Sequence, residues 1–511
     1  MKRFFVLSGI LCFMTLVIFP FRDIPVCCAT GDVIWDKTFG GIYSDGASSV
    51  RQTLDGGYII AGNTDSSGPT GTYPTNAWIL RLDSSGNLLW DKTYGGTDGD
   101  WTSSIQETID GGYIVSGWTY SKGAGSSDAW VFKLDSSGNL LWDKTYGGTF
   151  GEAASSIEQT SDEGYIVAGW TTSKGAGSSD AWVFKLDSSG NLLWDKTYGG
   201  TDGDGADSIQ QTSDGGYIVS GFTTSKGADS PDAWIFKLDS SGNLLWDKTY
   251  GGTQYDRAWS IQQTSDSGYI VAGYTNSKGA GSYDIWVLRL DSSGNLLWDK
   301  TYGGTNDDGF YGTDSIQQTS DGGYIVAGWT YSKGAGSHDI WVLKLDSTGN
   351  LIWDRTYGGI NEDGATSVRQ TSDGNFIVAG YTTSKGAGGF DAWVLKLAGE
   401  ETLITLTSFT ATPFTRKIIL SWTTASEIDN AGFNLYRAEA EDGEYVKIND
   451  SLIPAEGSVT QGAEYQFVDE NVKNRKTYYY KLEDIDINGT TTMHGPVSAT
   501  PRRVNELRVK E

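Results

Sequence analysis

Residues 155–200 read SSIEQTSDEGYIVAGWTTSKGAGSSDAWVFKLDSSGNLLWDKTYGG, and close copies of this unit run through residues 31–397. One tryptophan recurs at Trp35, Trp90, Trp142, Trp194, Trp246, Trp298 and Trp353. A second, in an Ala-Trp or Ile-Trp pair, recurs at Trp78, Trp130, Trp182, Trp234, Trp286, Trp341 and Trp393. Each series has seven members, spaced by 52 or 55 residues. A fixed period of about 50 residues marks stacked supersecondary modules, with propeller blades the first candidate. Four strand-length runs fill each unit, separated by a Ser-Asp-Gly-Gly type turn, a longer Ser-Lys-Gly-Ala-Gly loop and a Ser-Ser-Gly turn. Asp-Gly and Ser-Gly pairs signal hairpins because their central residues need positive φ. With no helical periodicity, the expected fold is all-β: a seven-bladed β-propeller of four-stranded blades. A β-solenoid fits less well, because a solenoid turn seldom needs four strands and three tight hairpins.

The phase of the repeat predicts how the ring closes. The first Leu-Leu-Trp-type strand, residues 32–39, precedes any complete unit, and the last unit stops at Leu397 without one. Residues 32–39 should then complete the blade holding residues 367–397 and join the two ends of the ring by a sheet ladder. Strand order puts the Tyr-Gly-Gly-Thr-Asp-Gly-Asp links and the Ser-Lys-Gly-Ala-Gly loops on one face, with the short turns opposite. Long, charge-bearing loops make the first face the expected working face.

Composition narrows the functional classes. The chain has 511 residues, 69 Gly, 20 Trp and 27 Tyr but 9 Pro and 2 His, and a net charge of −26. Such acidity repels phosphate backbones and anionic lipid surfaces, which argues against nucleic acid and peripheral membrane partners. Lys2, Arg3 and the apolar run 4–21 read as a signal peptide ending near residue 30, with an uncleaved anchor as runner-up. A lipoprotein site is weaker, because Leu11 and Val26 precede Cys12 and Cys27 where a small residue is expected. Cys12, Cys27 and Cys28 all lie in this leader, so a cleaved chain has no thiol chemistry and no disulfides. The expected location is secreted or cell-surface, and the expected state a monomer.

From about Thr402 the glycine repeat gives way to runs at 417–422, 433–438, 445–449, 465–469, 477–484 and 496–500. Such spacing predicts an antiparallel β-sandwich. The expected layout is a signal peptide at 1–30, the propeller at 31–399, the sandwich at 402–501 and a charged tail at 502–511.

Two resemblances accompany these readings. The repeats resemble bacterial secreted seven-bladed β-propeller units, and Leu-Asp-Ser-Ser-Gly-Asn-Leu-Leu-Trp resembles the tryptophan-docking motif of quinoprotein-type propellers, with one residue fewer between Asp and Trp. In that family the motif locks blades together and is structural, so the likeness speaks to fold and does not imply a quinone cofactor. In the C-terminal part, Ile-Leu-Ser-Trp422, the run 477–482 and Gly-Pro-Val-Ser-Ala-Thr-Pro (495–501) resemble the fibronectin type III pattern, which implies a tyrosine-corner role for one of Tyr478, Tyr479 and Tyr480.

Candidate chemistry is sparse. His338 and His494 fall in different domains, which leaves no histidine pair for catalysis. Most carboxylates repeat with the blade, whereas an active site breaks symmetry. Insertions around 68–75 and 307–313 do break it, and a hydrolase or lyase carboxylate pair would belong there. Among the acidic links, Asp202-Gly-Asp204-Gly-Ala-Asp207 alternates oxygen ligands with glycine in a calcium-like way, without the full twelve-residue loop or its terminal Glu. Solvated turn carboxylates are the plainer reading; calcium is the one metal the pattern admits, and no cofactor is expected. The second strands end in Trp118, Trp170, Phe222, Tyr274, Trp329 and Tyr381, with Asn63 the exception. Such rings stack on sugars, and Lys122, Lys174, Lys226, Lys278, Lys333 and Lys385 follow four residues later as hydrogen-bond donors. Inter-blade packing is the plainer alternative.

These features point to an exported, non-enzymatic binding or adhesion module with a multivalent face for glycan or extracellular protein. A carbohydrate-active hydrolase or lyase and a purely architectural surface protein are the alternatives.

Overall fold

The computed structural model describes residues 30–66, 75–228, 230–309, 315–399, 404–427, 430–441, 443–457, 462–486 and 491–502. The proposed leader, the greater part of both insertions and nearly all of the charged tail lie outside these residues. Every regular element described is a strand.

Residues 33–397 form seven antiparallel four-stranded sheets, one with its first strand split in two. We number them as blades 1 to 7 by their inner strands: Asp45–Gln52, Asp100–Glu107, Glu152–Gln159, Asp204–Gln211, Asp256–Gln263, Asp308–Gly309 with Ile316–Gln318, and Asp363–Gln370. The middle strands, such as Tyr165–Thr171 and Asp180–Leu186, are buried along nearly their whole length, because each blade has a neighbour on both faces. Outer strands such as Leu192–Tyr198 mix Leu and Trp with Asp and Lys and stay half-solvated.

Each apolar cluster is shared by two blades. Ile166, Ala168, Ala181 and Val183 of blade 3 pack on Ile209, Tyr217, Trp234 and Phe236 of blade 4. Tyr58, Ile60 and Leu80 of blade 1 pack in the same way on Ile377, Ala379 and Val394 of blade 7. That contact closes the ring, and the repeat region is a β-propeller. The N-terminal strand Val33–Phe39 pairs antiparallel with Asp391–Leu397, placing Phe39 opposite Ala392 and Val33 opposite Leu397, as the phase of the repeat predicts.

Two further sets of contacts lock neighbours. At the periphery, Trp142 lies over Gly190 of the next blade, whose φ of +74° and close indole leave no room for a side chain. Tyr146 donates to the Gly190 carbonyl at 2.6 Å, and Lys144 reaches Ser189 O and Asn191 Oδ1 at 2.8 Å. This lock repeats around the ring, and at the closure Trp353 and Tyr357 meet Gly31 instead of a turn glycine. Near the axis, the last side chain of each inner strand accepts a backbone N–H from the preceding blade. The donors are Leu54, Ile109, Ser161, Ser213, Ser265, Ser320 and Ser372; the acceptors are Glu107, Gln159, Gln211, Gln263, Gln318, Gln370 and Gln52.

The C-terminal residues form two facing sheets, one with Ile404–Phe414, Lys417–Glu427 and Glu464–Asp469, the other built on Asn430–Ala438, Tyr478–Asp486 and Thr491–Ala499. They enclose Trp422, Phe433, Leu435, Tyr480 and Leu482. The Ile404–Phe414 strand was not foreseen. The Tyr478 hydroxyl accepts from the backbone N–H of Lys473 at 3.1 Å.

Candidate functional site: the aromatic rim of the long-loop face

Inner strands begin, and second strands end, on the face that carries the long loops. There the second-strand aromatics stand directly opposite the second residue of the inner strand: Trp118 faces Trp101, Trp170 faces Ala153, Phe222 faces Gly205, Tyr274 faces Arg257, Trp329 faces Gly309 and Tyr381 faces Gly364. A Cβ at Gly205 would sit 2.6 Å from the Phe222 ring, so glycine lets the ring lie down over the strand. Where the facing residue is Trp101, the two rings stack instead. Trp101 and Trp118 stack at 5.6 Å with planes 14° apart, and Tyr120 meets Trp101 edge-on at 5.7 Å. Trp118, Trp170, Phe222, Tyr274 and Tyr381 are half-buried, and Trp329 is buried. The six rings thus lie one in each of blades 2 to 7, each part packing and most part surface.

One sector breaks the symmetry. Arg257 of blade 5 makes a bidentate bridge to Asp207 of blade 4, with Nε at 2.7 Å from Oδ2 and Nη2 at 2.6 Å from Oδ1. Its guanidinium lies over Trp259 at 3.8 Å and Phe222 at 4.4 Å. Burial pushes the Asp207 carboxyl up against the pull of Arg257, and burial pulls Arg257 down until Asp207 more than reverses it. The two-on-two fork holds them as an ion pair. Beside them Tyr274 stacks on Tyr255 at 5.7 Å and meets Tyr283 edge-on at 5.2 Å. In blade 6, His338 is buried among Trp329 and Tyr331, and its Nε2 lies 3.2 Å from the Tyr381 hydroxyl. Burial lowers its pKa against the opposing charges of Glu362 and Asp363, which favours neutral imidazole. His494 pairs with Asp484 inside the sandwich, a partner not legible in the sequence.

Two expectations need correction. The lysines do not join the aromatics. Lys122, Lys174, Lys226, Lys278, Lys333 and Lys385 each bind a carboxylate of the outer strand, namely Asp143, Asp195, Asp247, Asp299, Asp354 and Asp36. The same carboxylates accept the indole N–H of Trp130, Trp182, Trp234, Trp286, Trp341 and Trp393, and each ammonium lies over that indole. Those tryptophans neighbour the strand position of the rim rings, so the lysines act on the opposite sheet face. Nor do Asp202, Asp204 and Asp207 converge on a metal. Asp204 is buried against Gly200 N and the hydroxyls of Thr223 and Ser225, Asp207 holds Arg257, and Asp202 is exposed in the link. Among the described residues no group of three or more His, Cys, Asp or Glu is placed to hold a metal ion. Asp202 and Lys226 do line one open polar cleft with Ser178, Thr224 and Ser225.

The rim residues missed in the sequence are Trp101, Tyr255, Arg257, Trp259 and Tyr283. Aligning the units by period hides them, because none of them is the usual residue of the repeat at its position.

The class these observations define is a β-propeller with an aromatic rim on its loop face. No family model matches the chain. It is similar to the regulatory protein FlaEY of Caulobacter vibrioides, 27% identical over 218 residues that cover 38% of this chain and 22% of that protein. An amylopullulanase of Thermoanaerobacter thermohydrosulfuricus is 28% identical over 86 residues, 17% of this chain and 5% of that enzyme. The chain thus spans under a quarter of the length of either relative. Among solved structures, a puromycin hydrolase covers 75% of this chain and 58% of its own at 10% identity and a TM-score of 0.40. An endo-1,5-alpha-L-arabinanase from Thermotoga petrophila covers 70% and 98% at 10% identity and a TM-score of 0.27.

Proposed function

We propose that the protein is an exported, non-enzymatic binding module whose propeller presents the aromatic rim to a glycan or an extracellular protein, with the C-terminal sandwich as a fibronectin type III-like spacer. The supporting observation is the stacked Trp101–Trp118 pair with Tyr120 at its edge, a half-exposed apolar platform of the kind that sugar rings and aromatic-rich interfaces use. Repetition around the rim suits a repeating ligand, because several weak contacts add by avidity. The leader-like sequence at residues 1–30 supports export. The test is a glycan array and polysaccharide pull-down with the full chain. Retention that Trp118→Ala and Trp101→Ala reduce at least tenfold supports the reading. Release of sugar products from a polysaccharide panel would replace it with the carbohydrate-active alternative.

A further inference from the structure

Where each blade hands over to the next on the long-loop face, two carboxylates close around one glycine. One opens the third strand of a blade and the other opens the inner strand of its successor. The pairs are Asp128 with Glu152, Asp180 with Asp204, Asp232 with Asp256, Asp284 with Asp308, Asp339 with Asp363, and Asp391 with Asp45 across the closure. In each, a Cβ added to the intervening glycine (Gly147, Gly199, Gly251, Gly303, Gly358 or Gly40) would overlap oxygens of both acids. Two charges at such a place, nearly sealed from water, repel.

The two members are not equivalent. Asp308 accepts from Gly304 N at 2.7 Å, Ser332 Oγ at 2.7 Å, Ser332 N at 3.2 Å and the Thr330 hydroxyl, so both of its oxygens are committed to donors. Asp284, 1% exposed, takes Ala280 N and Gly281 N on Oδ2 at 2.8 and 3.4 Å, while its Oδ1, beside Gly303 and Asp308, has no hydrogen-bond partner. The seventh junction carries the decisive variation: Asn76 replaces the third-strand acid and sets its Oδ1 against Gly95 and Asp100. Asparagine is the neutral isostere of a protonated aspartate.

We propose that the third-strand aspartates Asp128, Asp232, Asp284, Asp339 and Asp391 are proton-binding sites, so that the propeller takes up protons as it folds and these blade junctions loosen as pH rises. A divalent cation is the poorer occupant. Calcium wants six to eight oxygens, and at the Asp284 junction only Oδ1 is left uncommitted. Burial, with the partner carboxylate adding to it, raises Asp128, Asp232, Asp284, Asp339 and Asp391 above the ordinary 3.8. Other charges near Asp284 are Asp307, whose Oδ1 lies 3.4 Å from Tyr283 N, and Lys278, which Asp299 holds. A raised folded pKa means stability that is complete below the unfolded value and lost as pH climbs through the folded one. His338 works the other way below 6.5, since its folded pKa is depressed. Comparing variants cancels its effect.

The experiment is thermal unfolding of the full chain at pH 5 and pH 8, with and without millimolar calcium, for wild type, Asp284→Asn/Asp339→Asn and Asn76→Asp. The double variant should raise the midpoint at pH 8 by about 2 °C per junction and leave it nearly unchanged at pH 5. Asn76→Asp, which adds a seventh acid pair, should lower it at pH 8 more than at pH 5, and carries the test if the double variant does not fold. Equal shifts at both pH values overturn the proposal. So does a calcium-dependent rise at pH 8 that the double variant abolishes, which would make the site a cation site.

Discussion

The periphery of the ring and its inner rim on the long-loop face are built from the same repeat, yet they behave differently from blade to blade. At the periphery, Trp90, Trp142, Trp194, Trp246 and Trp298 meet the same turn glycine of the next blade, and the tyrosine four residues later meets the same carbonyl. At the rim, the second inner-strand residue runs Gly46, Trp101, Ala153, Gly205, Arg257, Gly309, Gly364. A contact repeated at every junction within the ring tolerates little variation, because each blade has to present the same surface to its neighbour. Freedom to vary is what a recognition surface needs. The difference separates architecture from candidate function without reference to any ligand.

The largest expected effect comes from breaking the periphery at its one discontinuity. Deleting residues 31–40 removes the ladder to Asp391–Leu397, the Asp36 carboxylate that binds Lys385 and the Trp393 indole, and the glycine beneath Trp353. An open edge and an exposed blade face result. The thermal midpoint should fall further than for any point substitution, and a deletion variant as stable as wild type would refute the closure.

Next in size is Asp207→Ala, which carries the comparison into the rim. It strands a mostly buried guanidinium between Trp259 and Phe222, at a cost of about 3–5 kcal/mol. Denaturant titration reads the loss, and Arg257→Ala in the same chain should restore part of it, since the two sites share one interaction. Fully additive losses would show that the bridge is not a unit. Trp194→Ala at the periphery should cost about 3 kcal/mol, because it empties the dock over Gly242 and removes the ring that meets Tyr217 at 6.1 Å.

A smaller effect belongs to the short-turn face. Buried Lys133 and Lys237 reach across to Asp110 and Asp214. Burial works to raise those carboxyls, yet the lysine, threonine and backbone hydrogen bonds hold them down at about 2. A depressed folded pKa gives stability present above the ordinary value and lost as pH falls toward 2. Acid unfolding should therefore begin below about pH 4, and Asp110→Asn should shift its onset upward in a circular dichroism titration.

How much of this was legible in the sequence follows the same division. Periodicity exposes whatever repeats, so the docking tryptophans, the hairpin glycines and the role of residues 32–39 could be read directly. Lys122 and its counterparts misled because sequence proximity to Trp118 says nothing about sheet face. Lys122 curls over Trp130, which neighbours Ala129, the residue opposite Trp118, and side chains alternate along a strand. The Asp202–Asp207 run misled for a related reason: the inner strand begins at Asp204, which turns the later carboxylates into staples between strands and blades. Arg257 could have been found by asking which residues break the period, because its counterparts are Gly, Ala or Trp.

The smallest effect on stability should accompany the largest on binding. Trp118 is half-buried, and its support is Trp101 across the strand pair, itself half-buried. Removing either ring forfeits one stacking contact and a modest apolar area, so Trp118→Ala should cost about 1 kcal/mol, against about 3 for Trp194→Ala. If the rim is a recognition surface, the same substitution lowers ligand retention at least tenfold while Trp194→Ala, in chains still folded, leaves it unchanged. The reverse pattern, with a large stability loss at Trp118 and no change in retention, would assign the rim rings to packing and make the propeller's two edges architecture alike.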